Sequence, residues 1–192
     1  MANEAPVLYT SGSVNWYDEP VTGGYYPDGS TGETATCYVD PGLEIGDSDS
    51  ATLVSATVAI TNNYDASGDV LTFVNDDPGL YGDIAVEGYS GGVLSLVSVG
   101  GTATIAQWTA SLRSVTFHSS SDAPSTEMRT VTFQVNDGEA VSDPEPATQF
   151  IEVSVNNDPP TGTDGTILVS AGGAHVLTVA DFGFVDPDGH NF

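Results

Sequence analysis

The 192-residue chain carries 27 Asp and Glu against two basic residues, Arg113 and Arg129, for a net charge of −25 at pH 7. Such a field repels nucleic acid and anionic membrane surfaces, while a hydrophobic fraction of 39% excludes a disordered tail. Cys37, the single cysteine, excludes an internal disulfide, and no apolar stretch approaches the length of a membrane span.

In chain order, Asn3-Glu4-Ala5-Pro6 reads as a linker. Residues 10–38 are rich in aromatics (Trp16, Tyr17, Tyr25, Tyr26, Tyr38) and read as an insertion. The loop Gly46-Asp47-Ser48-Asp49-Ser50 then offers two carboxylates at i and i+2. From 53 to 61, Val54, Ala56, Val58 and Ile60 alternate with Ser55, Thr57, Ala59 and Thr61, the period of a half-buried strand. Shorter runs at 70–74 and 93–99 follow the same rule. Thr104 stands as an N-cap, and Ile105, Trp108 and Leu112 fall at i, i+3 and i+7, one face of a short helix. That helix is expected to plug one end of the core, with Trp108 as packing. Strand patterns return at 115–118, at 130–136 (Val131, Phe133, Val135) and at 150–155 (Ile151, Val153, Val155). Asn136-Asp137-Gly138-Glu139 closes the second of these, with Gly138 allowing a tight turn. Many short strands separated by Gly, Asn, Asp and Pro predict an all-β sandwich.

The punctuation repeats. Asn3-Glu4-Ala5-Pro6 is echoed by Asn157-Asp158-Pro159-Pro160, and each copy leads to an acidic pair, first Asp47-Ser48-Asp49 and then Asp186-Pro187-Asp188. The simplest reading is a tandem array, with residues 1–158 one module and 159–192 the start of a second, incomplete one. The last 34 residues of that scheme are too few to bury a core alone. The chain has no signal peptide after Met1 and stops inside an Asp-Pro-Asp-Gly motif, so it reads as a piece of a longer protein.

Clustered carboxylates need counter-charge, and Ca²⁺ takes about six to eight oxygen ligands. The seam between stacked modules is the natural place for it, because a cation there joins the incoming linker to the loops of the next module. At the first seam the candidate ligands are Asn3, Glu4, Asp47, Asp49 and Asp137, with Glu139 beside them. At the second they are Asn157, Asp158, Asp186 and Asp188. The third contributor of that second seam would lie beyond Phe192, so its calcium is expected to be weaker or absent.

These residues carry a resemblance to the cadherin-like repeats of giant bacterial adhesins, many of them exported by type I secretion. The matching stretches run from Asp47 to Thr61, from Gly101 to Phe117, from Arg129 to Gly138, from Val155 to Pro160 and from Ala180 to Gly189. The resemblance implies a seven-stranded Greek-key sandwich with an Ig-like topology and calcium at the junctions. In cadherins an Asn/Asp linker, an Asp-x-Asp pair and an Asp before Gly bind the ion. Those features fall on Asn157 and Asp158 (with Asn3 and Glu4 as the earlier linker), on Asp47 and Asp49, and on Asp137. No Leu-Asp-Arg-Glu-like motif is present, and Glu4 stands where Asp is usual. The implied role is a calcium-stiffened extender on the bacterial cell surface, contacting neighbouring modules of the same chain.

The rival reading is glycan or peptide binding through the aromatic segment, with Trp16, Tyr17, Tyr25 and Tyr26 as the contact residues and host or surface glycans or proteins as partners. An enzyme is disfavoured. His118, His175 and His190 form no ligand-spaced cluster with Cys37, and no nucleophile elbow or phosphate loop is present.

Overall fold

The computed structural model describes residues 3–20, 36–142 and 147–190. In chain order these form β1 (Val7–Tyr9), β2 (Val14–Asp18), β3 (Cys37–Tyr38), β4 (Glu44–Gly46), β5 (Ser55–Asn62), β6 (Asp69–Thr72), α1 (Pro78–Tyr81), β7 (Ile84–Ser90), β8 (Val93–Ser98), α2 (Ile105–Arg113), β9 (Thr116–Ser119), β10 (Arg129–Asn136) and β11 (Ala147–Ser154). A 3-10 turn at Val179–Phe182 follows. The fold is an all-β sandwich, as the alternation predicts. A six-stranded sheet, ordered β2-β11-β10-β5-β8-β7, shares one core with a three-stranded sheet, β3-β9-β6, and β1 pairs with β4 beside them.

The periodic segments supply the core. β5 buries Ala56, Val58 and Ile60, β10 buries Val131, Phe133 and Val135, and β11 buries Ile151 and Val153. Leu71 and Phe117 meet them from the smaller sheet. α2 begins with the expected Thr104 cap, made reciprocal by Gln107. Its Trp108 is fully buried, and the indole N–H donates to the Leu53 carbonyl at 2.8 Å. One buried ion pair crosses the core: Arg129 on β10 grips Asp69 on β6 through Nε at 2.8 Å and a second nitrogen at 3.1 Å.

Eleven strands stand among the described residues where the resemblance implied seven. The link Ser11-Gly12-Ser13, with Gly12 at positive φ, separates β1 from β2, and the turn at Pro41-Gly42 separates β3 from β4. β7 and β8 form an antiparallel hairpin. Its two turn residues, Gly91 and Gly92, both have positive φ, the requirement of the turn that matches strand twist. A side chain at Gly92 would also strike the Tyr64 ring, 2.9 Å away.

The segment 10–38 is not wholly an insertion. β2 is the outer strand of the large sheet, paired parallel to β11. Its inward residues are Asn15 and Tyr17, so apolar alternation is absent and periodicity hides it. Beyond Pro159 the described chain is largely exposed, with one β-bridge, Thr161–Val185, and no further ladder among the described residues. Leu168 is 93% exposed. Among the described residues no helix is long and apolar enough to cross a membrane.

Candidate metal centres

At one end of the sandwich, the start of β5 lies beside the end of β10, where the Val54 N–H donates to the Asn136 carbonyl at 2.8 Å. This brings the loop 47–50 and the loop 137–140 to the same end. Each loop is built around an Asp that folds its own turn. One Asp47 oxygen accepts from the N–H groups of Asp49 and Ser50, at 3.0 and 2.8 Å. One Asp137 oxygen accepts from Glu139 and Ala140, at 2.8 and 2.7 Å. The incoming linker ties both loops together: the Asn3 amide donates to the other Asp137 oxygen at 2.9 Å, and the Glu4 N–H donates to the Asp49 carboxylate at 3.2 Å. The N–H of Ala140, helped by the Asn3 amide, holds Asp137 below the usual carboxylate range. Asn3, Glu4, Asp47, Asp49 and Asp137 therefore lie at one end of the sandwich, though their carboxylates do not close to within 4.8 Å of one another as a group, and Glu139 is exposed and offers only its backbone here.

This first cluster fits a hard cation. The second oxygen of Asp47 is buried and has no hydrogen-bond partner. A buried acceptor without a donor costs about 1–3 kcal/mol, and more when charged. An oxygen-seeking divalent ion is the natural partner for it. For Glu4 the contact is made by the backbone alone.

β10 and β11 are antiparallel, so the end of β11 lies at the opposite pole. There Asp158 is fully buried, and its N–H donates to Asp188 at 2.6 Å. The Asp188 N–H in turn donates to Asp186 at 3.0 Å. The other Asp188 oxygen is buried with no hydrogen-bond partner. Asn157 is exposed, and its amide turns back onto the Asp158 carbonyl at 3.1 Å.

This second cluster includes residues that sequence reasoning missed. The ligand atoms of Asp186, Asp188 and His190 lie within 4.8 Å of one another. Glu19, one residue past β2, is only 1% exposed, and it accepts from the Asn156 N–H at 3.2 Å. Burial pushes its pKa up to about 7 against the opposing Asn156 bond, with added repulsion from Asp158, Asp188 and Asp122. The parallel pairing of β2 with β11 is what delivers Glu19 to the Asn156-Asn157-Asp158 exit. The carboxylates outnumber the one imidazole, which favours a hard cation over a transition metal.

The aromatic candidates separate. Tyr17 is 1% exposed, with its hydroxyl donating to the Ser119 carbonyl at 2.9 Å and its ring edge-on to Phe117. It is core, which corrects its assignment to a ligand surface. Trp16, its neighbour on the opposite face, is 62% exposed. Tyr25 and Tyr26 lie outside the described residues. Set beside known proteins, the chain matches no family model, no curated protein and no solved structure.

Proposed function

We propose that this chain is a calcium-binding structural module of a bacterial surface adhesin, an extender stiffened by Ca²⁺ at its ends. Residues 1–158 are read as one module and 159–192 as the opening of the next. The observation that carries this reading is the placement of the acids. Acids from separate segments stand at both ends of the sandwich, closing to within 4.8 Å at Asp186, Asp188 and His190, and at each end a buried carboxylate oxygen has no donor, Asp47 at one and Asp188 at the other. Asn3, Asp47, Asp49 and Asp137 would hold the ion at the first pole. Asp186, Asp188 and His190 would hold it at the second, with Glu19 and Asp158 beside them. Calcium would supply the positive charge that lets these groups stay close, and so fix the angle between a module and its linker.

Because the native state alone assembles these sites, Ca²⁺ stabilises it by mass action. Affinity is expected at about 0.1–1 mM, as in other extracellular modules. Asp47→Ala with Asp49→Ala is expected to remove part of the calcium-induced rise in melting temperature, and adding Asp188→Ala to remove the rest. Calorimetric melts of the three proteins in EDTA and in calcium check this. A triple variant that keeps the full rise sinks the assignment.

A further inference from the structure

Trp16 lies on the outer face of the large sheet, outside both metal centres. In the β2–β11 register its cross-strand partner is Glu152, while Val14 stands opposite Phe150 and Asp18 opposite Ser154. Paired strands send partners to the same face, so these six side chains form one strip. The strip is amphipathic in a specific way. Val14, Trp16 and Phe150 are all exposed large apolar groups, and Asp18 and Glu152 flank the indole with negative charge.

Asp18 accepts a hydrogen bond from the Ser154 hydroxyl, but neither arginine of the chain answers those acids. Arg129 is buried on Asp69, and Arg113 sits at Glu44. A second copy is a poor occupant, since two chains of net charge −25 repel one another. An anionic polymer is excluded on the same ground. An exposed indole that shares its strip with two carboxylates suits a cation, which the ring quadrupole and the acids attract together.

We infer that the Trp16–Glu152 strip is a docking site for an extended, basic peptide segment of a partner protein, with a lysine or arginine side chain over the Trp16 indole. β2 is the outermost strand of its sheet among the described residues, a position suited to an extended ligand.

The test uses the whole chain in saturating calcium. The probe is a short arginine-containing peptide, with a citrulline version and a neutral methyl glucoside as comparisons. Binding is read by calorimetry and by tryptophan fluorescence, in which Trp16 is the exposed indole and Trp108 the buried one. Arginine-peptide binding is expected to weaken about 3- to 30-fold in Trp16→Ala. It is also expected to weaken in Glu152→Gln, in the citrulline peptide and at high salt. Melts in the same buffer establish that both variants are folded. Arginine-peptide binding indifferent to Glu152→Gln overturns the inference. So does a response to the glucoside alone, which marks a saccharide platform, and so does no binding of any probe. None of these outcomes bears on the metal centres.

Discussion

Arg129→Ala is expected to lower stability by about 3–5 kcal/mol, a large share of the roughly 5–15 kcal/mol of an ordinary domain. The guanidinium is fully buried, and its donors are committed: two to Asp69, and the remaining terminal nitrogen to the carbonyls of Ser125 and Glu127. Alanine removes the donors and leaves a buried Asp69 anion, with two carbonyls short of a partner. The damage lies in that uncompensated charge rather than in the lost contact itself. Arg129→Met combined with Asp69→Leu is therefore expected to recover part of the loss, because a buried pair replaced by apolar groups is often neutral while the Ser125 and Glu127 carbonyls and the Asp65 N–H still lack their partners. Urea denaturation checks both variants, read as a shift of midpoint at constant slope. The loss should be equal in EDTA and in calcium, because neither Arg129 nor Asp69 belongs to either acidic cluster.

Glu19→Gln is expected to act in the opposite direction, stabilising the calcium-free protein at pH 8 by about 1–3 kcal/mol while weakening its calcium response. The folded pKa is raised from 4.5 to about 7, chiefly by burial. Between those values the folded state keeps a proton that the unfolded chain has released. Calcium-free stability therefore falls as pH rises from about 5 to about 7, and the trend flattens above. The slope is a fraction of the ~1.4 kcal/mol per pH unit that one whole proton would give. Glutamine cannot ionise, so melts of the variant in EDTA should lose that segment of the pH dependence. Wild-type protein in calcium should lose it as well, because a bound cation favours the ionised carboxylate. A variant that is less stable than wild type in EDTA at pH 8 would mean that Glu19 is a satisfied structural group.

The sequence was most legible where one side chain in two is buried. β5, β10 and β11 alternate cleanly, and α2 announces itself by its Thr104 cap and the spacing of Trp108 and Leu112. β1, β3 and β4 are only two or three residues long, too short for any period to register. β2 escaped notice because its inward positions carry Asn15 and Tyr17 in place of aliphatic residues. Trp16 and Tyr17 look alike in a composition, yet adjacent strand residues point to opposite faces, and only the register decides which ring is core. The placement of Asp47, Asp49 and Asp137 at one end of the sandwich was legible because they sit in turns that local sequence defines. Glu19 was not, because nothing near it in sequence says that β2 runs parallel to β11 and ends beside Asn156.

Thermal melts in EDTA, across a calcium titration and across a matched magnesium titration test most directly whether calcium binds at the poles of this sandwich. A calcium-specific rise saturating near millimolar is the predicted result, worth about 2.7 kcal/mol for each centre when the ion stands at 100 times its dissociation constant. An unchanged melting temperature, or an equal rise in magnesium, would contradict it and leave the acids as a salt-adapted surface.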